Sequence, residues 1–296
     1  MVDLTVVILT KNEQDNLKKC IDSFKGIAKR FVIVDSYSTD KTKELCNEIS
    51  KNVNLDFYEN KFIDYATQFN WGLKNTNIST KWTMRIDADE ELTDELVKEI
   101  ENKLPLINGD VNGIILKRRM YFMGKWIKHG GVYPTKLLRI FKTGKAYCEL
   151  KIMDEHIILK EGKSIEFKSD FKDYNTKQLE WWTYKHNWYS NREVLDYKGK
   201  VLSKNDNDTL IEAKLSKGQA ERKRFIKNNG YYKLPLFIRA HLYFIYRYYI
   251  RLGFLDGKEG RIYHFLQGYW YRFLVDAKIY ECDKFNIELE NQGDLK

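Results

Sequence analysis

The first hundred residues predict an α/β fold in which a parallel sheet is covered by helices on both faces. Short apolar runs alternate with longer amphipathic ones, and each apolar run ends in polar residues on its carboxyl side. Only three prolines, Pro105, Pro134 and Pro235, interrupt the 296 residues. Strand–helix alternation at this spacing implies parallel strands joined by crossover helices. Residues 5–9 (TVVIL) read as a buried strand and 16–24 as a helix. Strands at 31–34, 55–58 and 82–86 follow, with helices at 42–49, 65–73 and 93–104; Thr93 is placed to cap the last of these.

From Gly113 to His156 the pattern changes. GIILKRRMYF, TKLLRIF and AYCELKI read as strands, with Gly124, Gly130, Gly131 and Gly144 as turn points. Residues 176–204 read as a helix, and 204–230 are polar and expected to be mobile. Residues 231–281 are aromatic and basic, with two helices separated by a turn at 253–257. The expected organisation is an α/β domain over 1–170 and a helical segment over 171–296.

Hydrophobic residues make up 43% of the chain, enough for a sizeable core. The four cysteines, Cys20, Cys46, Cys148 and Cys282, form no CxxC or Cys/His cluster, which argues against zinc and suits a reducing cytoplasm. No basic leader precedes the apolar run at 2–9, and no uncharged apolar stretch reaches about 18 residues, so neither a signal peptide nor a membrane-spanning helix is expected. The net charge of +9 is unevenly spread. Residues 1–100 carry 14 basic and 18 acidic side chains, whereas 214–272 carry 13 basic and 3 acidic ones. That basic region implies a polyanionic partner.

The polar strand ends hold the candidate chemistry: Thr10-Lys11-Asn12-Glu13, Asp35-Ser36 and Asp87-Ala88-Asp89. Ligands of open α/β sheets bind at that edge. There is no GxGxxG and no GxxxxGK[ST], which disfavours a dinucleotide fold or a P-loop. Alternate carboxylates in DxD spacing reach one hard divalent cation, Mn2+ or Mg2+, and the ribose beside it. The same three residues also read as an acidic turn leading into the next helix. Asp35 suits a nucleobase N–H or a ribose hydroxyl, and equally a cap for the turn at 36–42.

In order and spacing, TVVILTKNEQDNL, VIVDSYSTDKT, FIDYATQFNWGL and MRIDADEEL resemble the family 2 glycosyltransferases, specifically the bacterial subgroup that builds lipopolysaccharide cores and surface polysaccharides. HGGVYPTKLLRIF, MDEHI and LGFLDGKEG extend the resemblance over nearly the whole chain. It implies a GT-A fold, a Rossmann-like nucleotide-sugar-binding sheet, here followed by the helical, aromatic and basic segment. Carried over, Thr10 and Glu13 lie against the nucleotide, and Asp35 binds base or ribose. Asp87 contacts ribose or metal, Asp89 holds the metal, and Gln68 and Asn70 lie near the donor. Many members carry an arginine in the segment matching FIDYATQFNWGL to steady the diphosphate; none stands here.

The resemblance also places the catalytic base of an inverting transferase in the acidic motif Asp154-Glu155-His156, as Glu155 or Asp154. The expected donor is a nucleotide sugar, a UDP-sugar first, and the expected acceptor a lipid-linked or lipopolysaccharide glycan. His129–Pro134 reads as a loop over donor or acceptor or as a plain turn. Trp181, Trp182, His186 and Trp188 read as an acceptor-facing surface or as helix packing.

Residues 231–273 contain 15 aromatics. At about 100° per residue, Lys233, Arg239, Arg247 and Arg251 share an arc of roughly 120°. A cationic stripe beside apolar side chains predicts an interfacial helix on an anionic membrane, hence a peripheral protein of the inner face. The rival is a buried helix packed on the rest of the chain. A sugar nucleotidyltransferase would carry a basic glycine-rich loop after the first strand, which TKNEQDN lacks. A nucleic-acid-binding protein using the basic tail would leave Asp35, Asp87 and Asp89 without a task.

Overall fold

The computed structural model describes residues 1–151, 155–202 and 218–289. The described chain divides into two compact units. The first comprises Met1–Tyr121, Thr135–Glu149 and Glu155–Thr176; the second takes Phe122–Pro134, Leu150, Lys151 and the described residues from Lys177 onward.

The first unit opens with β1 (Val2–Thr10), α1 (Leu17–Ser23), β2 (Ala28–Asp35), α2 (Thr42–Ile49), β3 (Leu55–Glu59), α3 (Tyr65–Asn75) and β4 (Trp82–Asp87). β-Branched runs fit the pleated, fully buried strands: Leu4, Val6 and Ile8 of β1 enter one core cluster, and Val7 enters the cluster on the opposite face. Asp64 caps α3, accepting from Thr67 N at 2.7 Å. After β5 (Glu90–Leu92) comes α4 (Asp94–Lys103). Its cap is Thr93, whose Oγ1 accepts from Leu96 N at 3.3 Å, and Asp94 and Glu95 occupy the positive end of its dipole.

Next come β6 (Val111–Phe122), the two-residue β7 (Lys125–Trp126), β8 (Thr135–Lys142), β9 (Ala146–Cys148), β10 (Ile157–Leu159) and β11 (Lys163–Asp173). The sheet order is β3-β2-β1-β4-β8-β6-β11-β5. The strands expected to be parallel in the first hundred residues are so, and the strands that follow make the sheet as a whole a mixed one. β3, β2, β1 and β4 are parallel, whereas β8 runs antiparallel to both β4 and β6. No crossover helix stands between β6 and β8, and without one a strand can return only antiparallel.

The second unit contains α5 (Leu179–Leu202), α6 (Gln219–Asn229), α7 (Ile238–Ile245), α8 (Gly257–Phe265) and α9 (Tyr271–Phe285). π-Helical turns, Tyr246–Ile250 and Leu266–Trp270, extend α7 and join α8 to α9. Of the stretch expected to be mobile, 219–229 form α6, and 204–217 lie outside the described residues.

Among the described residues of this unit, Val194, Tyr271, Val275, Ile279 and Cys282 form an apolar cluster with their neighbours. Buried ion pairs supplement it. Asp276 receives Arg239 Nε at 2.7 Å and Phe237 N at 2.8 Å. Glu193 of α5 gathers Arg272, Lys227 and Tyr271 at 2.6, 2.9 and 2.7 Å. These contacts correct the cationic stripe. Arg239 and Arg247 are only 1% and 6% exposed, and Arg247 Nε donates to Gly130 O. Two of the four expected lipid-facing cations are interior groups.

Candidate functional site

Parallel register brings the candidate residues to one edge. Thr10 stands opposite Asp35, and Leu9 opposite Asp87. Beyond the strands, the loops at 10–16 and 35–42 are laced together. Asn12 N donates to Ser38 Oγ at 2.8 Å, Thr39 N to Asn12 Oδ1 at 2.8 Å, and Glu13 N to Thr42 Oγ1 at 2.9 Å. Glu13 also accepts from Asn16 Nδ2 at 2.8 Å. Side chains thus satisfy loop backbone that would otherwise need water, which fixes the edge before a ligand arrives.

Asp35 is buried at the centre of that lacing. Its carboxylate accepts from Thr10 Oγ1 at 2.7 Å and from Ser38 N and Oγ, both at 2.6 Å. It therefore caps the following turn. A carboxylate offers about four acceptor positions, so roughly one remains for a ligand donor. Gln68 is also buried, donating to Ser36 Oγ and Asn60 O and accepting from Asn60 Nδ2. Asn70 exchanges two 2.8 Å bonds with the backbone of Cys148, pinning α3 to β9. Both amides hold the scaffold around the edge.

Asp87 is partly exposed between two buried guanidiniums. Arg85 Nε lies 3.6 Å from Oδ1 and Arg139 Nη2 3.6 Å from Oδ2. Arg139 pairs with buried Glu90 at 2.7 Å, and Glu90 accepts from Asp87 N at 2.9 Å. Arg85 reaches on to Glu155 Oε1 at 3.1 Å. Burial opposes the charge on Arg85, but Asp87 and Glu155 outweigh it and push its pKa further up. Arg85 joins the DxD segment to Glu155, one of the two candidate bases; the other, Asp154, lies outside the described residues. Sequence reasoning passed over Arg85. Its signal was the period of two along a strand, which puts Arg85 and Asp87 on one side of β4.

Asp89 accepts from Asn175 Nδ2 at 2.8 Å through Oδ2, while Oδ1 has no hydrogen-bond donor among the described residues. No group of three or more His, Cys, Asp or Glu suited to a metal occurs among the described residues. Two carboxylates still fit Mn2+ or Mg2+, because such ions complete their coordination with substrate phosphate and water. His156 Nδ1 lies 2.9 Å from the buried carboxylate of Glu149.

The remaining candidates fall in the helical unit. His129 Nδ1 lies 2.7 Å from Asp256 Oδ1, and Gly130 N donates to Arg251 O at 2.8 Å. That loop is thus anchored to the 253–256 turn. Trp182 stacks on His186 at 3.5 Å, and Trp188 is buried.

The chain belongs to glycosyl transferase family 2, whose family model matches residues 5–157. Its sheet, with the carboxylate edge and the helices around it, is the GT-A α/β fold. Among curated relatives it is similar to the lipopolysaccharide core biosynthesis glycosyltransferase LpsC of Rhizobium meliloti, 32% identical over 160 residues. That match covers 54% of this chain and 58% of the relative, so the chain spans little more than half of LpsC. A glycosyltransferase of Rickettsia conorii is 26% identical over 213 residues, covering 68% of this chain and 73% of the relative. A solved structure of S. aureus TarS 1-349 in complex with UDP-GlcNAc is 14% identical, with a TM-score of 0.48 over 99% of this chain and 98% of that one.

Proposed function

We propose that this transferase moves a hexosyl group, with inversion, from a UDP-sugar to a hydroxyl of a lipid-linked or lipopolysaccharide glycan at the inner face of the cell membrane. The observation that carries this reading is the Asp87–Arg85–Glu155 chain beside Asp89 at the sheet edge. Thr10, Glu13 and Asp35 are the nucleotide side of the site. Asp89, with Asp87, is the pair that would hold Mn2+ or Mg2+. Bound there, the cation neutralises charge on the departing diphosphate. The acceptor class is supported by the similarity to LpsC.

In the reaction, Glu155 takes the proton of the acceptor hydroxyl as its oxygen bonds to the anomeric carbon. The bond from that carbon to the diphosphate oxygen breaks, and its electron pair leaves with UDP. Arg85 fixes the Glu155 carboxylate for that task, through a contact made before substrate binds. The link from Arg85 to the DxD segment supports Glu155 as the base.

A panel of nucleotide sugars with Mn2+, scored by free nucleoside diphosphate, tests the reading. Slow metal-dependent hydrolysis of one UDP-sugar is expected. No release from any donor, with or without metal, overturns it.

A further inference from the structure

We propose that the outer face of the helical unit over residues 238–265 seats directly on an anionic lipid bilayer, its apolar side chains entering the interface and exposed cations meeting the headgroups. The helix is amphipathic in the sense opposite to the one its arginines suggest. Ile238, Leu242, Ile245 and Tyr249, spaced four, three and four apart, all point to solvent. Their arginine neighbours Arg239 and Arg247 point inward. Beyond them Ile250 is 67% exposed and Leu255 55%.

The face widens onto the next helix. Phe244 of α7 meets Phe265 of α8 at 6.4 Å, and exposed Ile262 and Phe265 continue the surface. A soluble protein seldom leaves so continuous an apolar surface uncovered unless something binds there.

The occupant follows from charge. Residues 222–255 contain no Asp or Glu, an unusual run in a chain that is 31% charged. Lys233, Arg251, Lys258 and Arg261, within or just before residues 238–265, are exposed. Of the acidic residues in that stretch, Asp256 is buried and Glu259 is tied to Lys125 at 3.5 Å. An apolar face with cations and tyrosines in the same stretch matches the layered chemistry of an anionic bilayer surface. A second copy of this chain fits worse, since two cationic stretches would oppose each other. No described helix is long and apolar enough to cross the membrane, so the contact is one of seating. The inference deepens the proposed function, because a lipid-linked acceptor would be met at such a surface.

The test is flotation of the full chain with vesicles of phosphatidylcholine alone or with phosphatidylglycerol. Wild type should float with the anionic vesicles, and less as salt rises. The triple variant Ile245→Ser, Ile250→Ser, Leu255→Ser should lose at least tenfold in partitioning. The charge variant Arg251→Glu, Arg261→Glu should lose binding to anionic vesicles only. Circular dichroism and nucleotide-sugar hydrolysis in free solution should match wild type in both, since none of these residues is in the site. Absence of wild-type flotation, or equal flotation of the triple variant, overturns the proposal. So does a concentration-dependent dimer that the triple variant abolishes. Flotation without hydrolysis would sink the enzymatic reading alone, and hydrolysis without flotation the docking alone.

Discussion

Asp87 and Asp89 are two residues apart but differently held. Asp87 is clasped by the guanidiniums of Arg85 and Arg139, which hold its carboxylate in place. Asp89 is steadied from one side by Asn175, which leaves its other oxygen better placed for a cation. Asp89→Ala should therefore weaken Mn2+-dependent UDP binding at least tenfold, about 1.4 kcal/mol, by calorimetry; equal affinity would refute the metal assignment. Glu155→Gln keeps the shape and a hydrogen-bond acceptor for Arg85. It should retain donor affinity and lose about 100- to 10,000-fold in transfer rate. Near-wild-type transfer by this variant would move the base elsewhere.

At the scale of elements, caps and buried histidines decide local stability. Thr93 joins two of them: its Oγ1 caps α4 and donates to Asp170 O of β11 at 2.8 Å. Thr93→Ala should cost about 1–2 kcal/mol in urea unfolding, more than an exposed cap would. His264 of α8 is fully buried, and burial, helped by Arg247, holds its pKa down to about 4. Burial likewise lowers His186 of α5 to about 4. Unfolded, each would titrate near its ordinary 6.5. Their contribution is then complete above about pH 6.5 and is lost as the pH falls toward 4, because the unfolded chain binds the protons first. The urea midpoint should drop between pH 7 and 5, at most about 1.4 kcal/mol per pH unit for each histidine. His264→Asn and His186→Gln should each flatten that slope; unchanged slopes would show that other groups govern it.

For the whole molecule, the distribution of charge matters more than its sum. Among the described residues, three cations of the basic segment neutralise buried carboxylates, Arg239 that of Asp276 and Arg272 and Lys227 that of Glu193. Truncating one partner leaves the other charge buried and uncompensated. Arg239→Met should destabilise the helical unit by about 3–5 kcal/mol, and the double variant with Asp276→Leu should recover part of that loss. If the single variant unfolds like wild type, the pair is not the fastener proposed. The remaining exposed cations are those available to an anionic surface, so salt should weaken membrane binding without touching stability to the same degree.

The sequence by itself determined β1 to β4 and α1 to α4, because period-two and period-3.6 patterning, caps and turn residues act within a few neighbours of each other. It also determined that Thr10, Asp35 and Asp87 share one edge, since parallel strands end there together. It could not determine that β8 would insert between β4 and β6, a pairing of segments more than fifty residues apart in the case of Trp82 and Lys142. Nor could it show that Arg85 would bridge to Glu155, 70 residues onward. The arginines of α7 make the distinction sharpest. Helical periodicity correctly put Arg239 and Arg247 on one side, but periodicity is blind to which side faces inward. That was decided by Asp276, 37 residues away from Arg239, whose buried carboxylate needs a cation and so turns the apolar side of the helix outward.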